Sequence, residues 1–171
     1  MATPKTPRKA QPDVRPAEAE AGPAPAASVS PAGDNGYRLE AQIGFVLRCV
    51  HQRATEIFNS TMSLHAVTPT QFAVLAKLSD LGSVSQNQLG RLTAMDPATT
   101  SGVVGRLIVR GFVVQSPAPE DARLVLLSLT PAGKSAVAEM KTDAAEVSRR
   151  TLEPLTPDEA SALLAALEKL R

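Results

Sequence analysis

Apolar residues return every third or fourth position between Tyr37 and Met62, at Leu39, Ile43, Val46, Leu47, Val50, Ala54, Ile57 and Phe58. That is the period of a helix with one buried face, and at 3.6 residues per turn it predicts a single amphipathic helix of about seven turns. Later helix starts carry their own capping chemistry. Thr68-Pro69-Thr70-Gln71 supplies a cap, a first-position proline and a glutamine three residues on, and Thr130-Pro131, Thr156-Pro157 with Glu159, and Asp96-Pro97 repeat the device. Between them, Ser85 and Gln88 make a further capping box, with Val84 placed to staple onto Leu89. The order is therefore a helix, a short helix of two turns, a tight turn at Thr93-Ala94-Met95, and a longer helix from Pro97 to Gly111. After Gly111, "FVVQS" and "RLVLLSLT" flank "PAPEDA", a pattern that predicts a two-stranded antiparallel ribbon with a loop at its tip. Two more helices follow, about 131 to 152 and 157 to 170, the last with Leu163, Leu164, Leu167 and Leu170 on one stripe.

Helix, turn, helix and ribbon in immediate succession describe a winged helix-turn-helix, whose second helix normally enters the DNA major groove. The expected fold is mainly α with a small β-ribbon wing: a winged lobe over about 68–130 and a helical dimerisation layer from about 37–62 and 131–170, together one domain over 37–171. The helix from Pro97 bears this out in its side chains. At 100° per residue Val104, Leu107 and Ile108 share one face, and Thr99, Gly102, Val103, Arg106 and Arg110 lie opposite, with no acid and no long side chain in the first turn. Threonine and glycine each cost a helix about 0.5 to 1 kcal/mol relative to alanine. A groove-facing helix has a use for them: small residues admit the DNA backbone, hydroxyls meet base edges and phosphates, and a cation further along takes guanine or phosphate. Ser85, Thr99, Thr100, Ser101, Gly102, Val103 and Arg106 are the candidate contacts, with Thr99 or Val103 facing a thymine methyl. The competing reading is a protein-interaction module of the same fold, with a weak helix start and no DNA.

Composition changes this picture only at the edges. Residues 1–36 hold seven of the 14 prolines and no aromatic residue, too little apolar surface to offset chain entropy, and are expected to be disordered. They carry four basic and four acidic residues, which leaves 14 and 13 of the chain's 18 and 17 to the rest, so charge alone does not point to nucleic acid. No signal-like apolar run and no bilayer-length segment is present, and a single cysteine excludes a disulfide framework or a cysteine-rich zinc site. A cytoplasmic protein without cofactor or metal is expected. No nucleophile-base-acid set or phosphate-cradling glycine loop suggests an enzyme.

From Thr68 to Gly133 the chain resembles the MarR family of bacterial transcription regulators. The resemblance is carried by Thr68 with Gln71, Leu89, Leu107, Gly111, Asp121, Arg123 and the run Leu129-Thr130-Pro131-Ala132-Gly133. It implies a homodimer on a pseudo-palindromic double-stranded operator, with Arg123 at the wing tip in a minor groove and Asp121 holding that arginine in place. A cation on a proline-rich loop is also a reasonable minor-groove probe on physical grounds. Where relatives carry arginine in the ribbon and wing, this chain has Gln115, Ser116 and Ala122. Each lost phosphate contact should flatten the salt dependence by about 0.9 log units of slope. Gly90, where alanine is usual, is expected to loosen the short helix slightly.

The resemblance also implies a small aromatic acid as effector, lodged between the dimerisation helices and the DNA-binding lobe; the chain is similar to the branch of the family that represses nicotinate-degradation genes, which implies a hydroxylated pyridine carboxylate. Candidate residues are His51, flanked on its face by Gly44 and Phe58, then His65 near the lobe junction, and Arg48 as a fixed cation. Cys49, with Arg53 nearby, keeps an oxidant-sensing alternative open.

Overall fold

The computed structural model describes residues 36–121 and 123–170. The tail expected to be disordered, 1–36, lies outside the described residues except for Gly36, as does Ala122 in the wing. The elements are α1 (Ile43–Thr61), α2 (Pro69–Leu81), β1 (Ser83–Ser85), α3 (Gln86–Leu92), α4 (Pro97–Val109), β2 (Val113–Pro117), β3 (Val125–Leu129), α5 (Pro131–Leu152) and α6 (Pro157–Glu168).

All four threonine- or aspartate-proline starts form. Thr68, Asp96, Thr130 and Thr156 each accept from the backbone N–H three residues on, with proline in the first turn, and Thr68 and Thr156 complete reciprocal boxes with Gln71 and Glu159. Ser85 accepts from the Gln88 N–H at 3.3 Å and caps α3.

Two expectations change. The helix predicted from Tyr37 starts only at Ile43, after a 3-10 turn over Leu39–Ala41. Gln42, extended at φ −81° and ψ 127°, separates the two and donates its side-chain amide to the Arg38 carbonyl at 3.0 Å. Apolar spacing was continuous across this point, but no capping residue marked the true start. The wing, predicted as two strands, belongs to a three-stranded antiparallel sheet in the order β1-β3-β2. Val84 lies opposite Leu127 and Val113 opposite Leu129, so the residue expected to staple onto Leu89 is also a sheet residue, buried in the same core cluster as Leu89. Three residues between two helices are too few for a period of two to show.

The core joins both layers. Val74, Leu75, Leu78, Leu89, Val103, Val104, Leu107 and Leu127 fill the winged lobe, and Phe58, Met62, Val137 and Met140 continue it between α1 and α5. Ile43, Val46, Leu47 and Val50 on α1 and Leu163 and Leu164 on α6 remain exposed.

Gly90 proves necessary rather than merely tolerated. It is buried where α3 crosses α4, and a Cβ there would stand 2.8 Å from Thr100 Oγ1 and 3.2 Å from the Met95 carbonyl. That hydroxyl donates to the Asp96 carbonyl at 2.8 Å, so moving it costs a hydrogen bond as well as packing. Gly90→Ala is expected to lower stability by about 1–3 kcal/mol in denaturant titrations. Thr100→Ala, which removes the obstructing oxygen, should restore part of the loss in the double variant.

Candidate nucleic-acid interface

The outer side of α4 begins with Asp96. Its carboxylate accepts the Thr99 N–H at 2.9 Å through one oxygen and the Thr99 hydroxyl at 2.6 Å through the other. These bonds, the hydroxyl's first, hold its carboxyl below the ordinary aspartate range. Thr99, Ser101, Gly102 and Arg106 are exposed together. Arg106 lies back toward the start of the helix: its Nη1 is 3.7 Å from where a Gly102 Cβ would be, as expected for a long side chain leaning over the preceding turn. Gly102 is thus the flat bed on which the guanidinium rests.

Thr100 and Val103 do not belong to this side. Both are 1% exposed and point into the core, because α4 buries a stripe of Thr100, Val103, Val104 and Leu107 against α2 and α3. The wheel sets Val103 on the outward face with Thr99 and Arg106, and packing takes it inward. Ser85 is half-buried, with its hydroxyl used as the α3 cap.

The wing tip is closed by Ala118 N–H donating to the Leu124 carbonyl at 2.7 Å and by Leu124 N–H donating to the Asp121 carbonyl at 2.9 Å. Asp121 Oδ1 accepts the backbone N–H of Arg123 at 2.9 Å. Asp121 therefore fixes the turn that presents Arg123, holding that residue through its backbone N–H. Arg123 itself is exposed.

Along the exposed side of α4, beside the α1–α2 loop, runs a groove of about 680 Å³, lined by Ala66, Gln71, Gly102, Gly105, Arg106, Val109 and Arg110. Val109 is 88% exposed beside it. Arg110 donates to the Ala66 and His65 carbonyls at 2.8 and 3.0 Å and stacks 4.8 Å from the Phe112 ring centroid. His65 Nε2 is hydrogen-bonded to Asp143 Oδ2 on α5 at 2.7 Å. A connected set of contacts therefore runs from α5 through the α1–α2 loop to the end of α4. Sequence reasoning missed Asp143 and Arg110 because their partners stand 78 and about 45 positions away. The groove had a faint signal in the i, i+3 pair Gly102 and Gly105.

The residues proposed around His51 are not gathered into a cavity by one chain. Gly44, Arg48 and His51 are exposed along α1, and nothing lies within 4 Å of a Cβ built on Gly44. Phe58 is a core residue, 6.0 Å from the Phe72 ring at an angle of 51°. Its expected place as a pocket wall is taken by packing on α2. Cys49 is exposed. Among the described residues no acid, histidine and cysteine cluster could hold a metal ion, and no helix is long and apolar enough to cross a membrane.

Comparison with known proteins agrees with this layout. The profile of the MarR family matches residues 67–125, from the α1–α2 loop to the first residue of β3. The HTH-type transcriptional repressor NicR of Pseudomonas putida is 36% identical over 143 residues, covering 84% of this chain and 90% of NicR. A probable transcriptional regulator from Pseudomonas aeruginosa superimposes with a TM-score of 0.74 at 45% identity, over 78% of this chain and 100% of that one. BpsR of Bordetella bronchiseptica, whose DNA binding is regulated by 6-hydroxynicotinic acid, gives 0.75 at 37% identity over 78% and 96%. These relatives are regulators, and the wing, the turn and the capped α4 recur here in the order that a winged helix requires. The chain belongs to the MarR family of DNA-binding transcription regulators.

Proposed function

We propose that the protein is a homodimeric repressor that leaves a pseudo-palindromic operator when a small aromatic carboxylate binds, the ligand being of the hydroxylated nicotinate type. The observation that carries the reading is the outer side of α4, where Thr99, Ser101 and Arg106 stand around Gly102 with the Arg123 wing following directly in the chain. Two copies of α4 about 34 Å apart reach successive major grooves on one face of the duplex. The exposed apolar residues of α1 and α6 supply the surface for the second copy, since a monomer gains nothing by leaving so many large apolar side chains in water.

The similarity to NicR and BpsR supports the choice of effector class. Gly44, Arg48 and His51 lie on the α1 face that a second copy would cover, and His65 adjoins Ala66 at the edge of the groove along α4. Arg106 lines that groove and also faces outward. A carboxylate paired with it there competes with DNA for the same cation, which gives release a direct cause in addition to any change in spacing.

Mobility shifts with DNA upstream of the protein's own gene test the reading, at several salt concentrations and with 6-hydroxynicotinate and other aromatic carboxylates as competitors. Salt-dependent binding that a carboxylate reverses is the expected result. A ligand that raises the melting temperature of the wild type should do so less in His51→Ala or His65→Ala; equal stabilisation of all three would make both histidines structural. A stable hetero-complex without salt-dependent DNA binding would favour the protein-interaction module.

A further inference from the structure

We infer that Asp96 fixes the hydrogen-bonding polarity of Thr99, so that Thr99 presents only an acceptor to the major groove and selects a base carrying an exocyclic amino group, adenine N6 or cytosine N4. The inference rests on the DNA reading above and names what one position of the interface recognises. Its basis is the pair of bonds from Thr99 to Asp96, the N–H at 2.9 Å and the hydroxyl at 2.6 Å. An ionised carboxylate has no proton to give, so the threonine hydroxyl is necessarily the donor. Its single proton is thereby turned back along the helix cap. What remains outward on an exposed side chain is two lone pairs and a methyl group.

A hydroxyl in this state differs from an ordinary serine or threonine at a DNA interface. It cannot donate to a phosphate or to the keto oxygens, guanine O6 and thymine O4, and its lone pairs repel them. It can accept from an amino group, which adenine and cytosine alone display in the major groove. The neighbouring hydroxyls make the contrast. Thr100 Oγ1 donates to the Asp96 carbonyl and is buried, whereas Ser101 is exposed about 160° around the helix from Thr99 and is not held by the cap. The hydroxyl row after Pro97 thus contains one fixed acceptor, one structural group and one adaptable group, although its three residues look equivalent in sequence.

The test measures affinity of the full-length protein for operator variants in which each base pair of a half-site is replaced in turn by the other three. Wild type, Thr99→Ser, Thr99→Val and Asp96→Asn are compared. Wild type and Thr99→Ser should share a preference of about 2- to 10-fold for adenine or cytosine at one position, the worth of one neutral hydrogen bond. Thr99→Val should lose the preference at that position alone. In Asp96→Asn the side-chain amide can donate to the Thr99 oxygen and release its proton, so guanine and thymine should become acceptable there; asparagine remains a good cap, so the fold is kept. Unchanged base preference in Thr99→Val, or a wild-type preference for a keto base at the position Thr99 controls, overturns the inference. Loss of all salt-dependent DNA binding by the wild type overturns the DNA reading itself, and this one with it.

Discussion

Arg106→Ala should bind operator DNA about 5- to 150-fold more weakly per half-site, because a guanidinium on a base or phosphate contributes about 1–3 kcal/mol, and the loss counts twice for a dimer on both half-sites. The effect is large for a single exposed side chain because the position is prepared for it. The guanidinium lies over Gly102, already leaning toward the first turn of α4. Its two candidate partners separate cleanly. If Arg106 takes guanine, the variant relaxes the preference at one base pair and keeps its salt dependence; if it takes a phosphate, it weakens binding to all sequences and the slope of log K against log salt falls by about 0.9 for each lost contact. Arg106→Lys should fail to restore a guanine contact, since lysine lacks the planar fork. Wild-type affinity in Arg106→Ala would remove α4's outer side from the interface.

Gly133→Ala should cost stability at the upper end of what overpacking does, about 3 kcal/mol, with a fall in melting temperature of about 6–12 °C. Gly133 is buried in the first turn of α5, and a Cβ there collides with the Phe112 carbonyl oxygen and stands 3.0 Å from the carbonyl carbon. Neither side can yield cheaply. The same carbonyl accepts the Thr130 N–H at 3.0 Å, and the Thr130 hydroxyl donates to the Gly111 carbonyl at 2.6 Å while accepting the Gly133 N–H. Helix start and strand start are interlocked through backbone, so the added methyl must displace main chain. Gly105→Ala is the control: it is an exposed position inside α4 with nothing within 4 Å of the added Cβ, and should raise stability by up to about 1 kcal/mol through helix propensity. Comparable melting temperatures for the two variants would contradict the close approach at Gly133.

The four proline-marked helix starts are legible because each is a local event: one hydroxyl or carboxylate, a proline, and the N–H three residues on; the start of α1, which has no such cap, is not. The ribbon was legible for the same reason, its two strands being close in sequence and alternating. What escaped was decided at a distance. Val103 was assigned outward by the wheel and is buried, because α2 and α3 together wrap more of α4 than one face. Gly90 reads as a weak helix residue until α4 is placed against it, and only then does it become the residue that lets Thr100 fit. The link between His65 and Asp143 joins segments with no shared pattern. At the candidate interface, the residue types and their order were readable, but the direction of the Thr99 proton and the backbone role of Asp121 depend on rotamers that no spacing encodes.

The short strand β1 has a consequence for the operator. Ser85 is at once the last residue of a strand paired with β3 and the cap of α3, so the sheet that carries the wing is continuous with the helix preceding α4. The wing can pivot little on its own. If α4 and the wing both hold the duplex as proposed, a base pair inserted between their two contacts would carry the second about 3.4 Å along the duplex and about 34° around it, beyond what such a joint can follow. Natural operators of this protein should therefore tolerate substitutions within a half-site far better than insertions or deletions inside it.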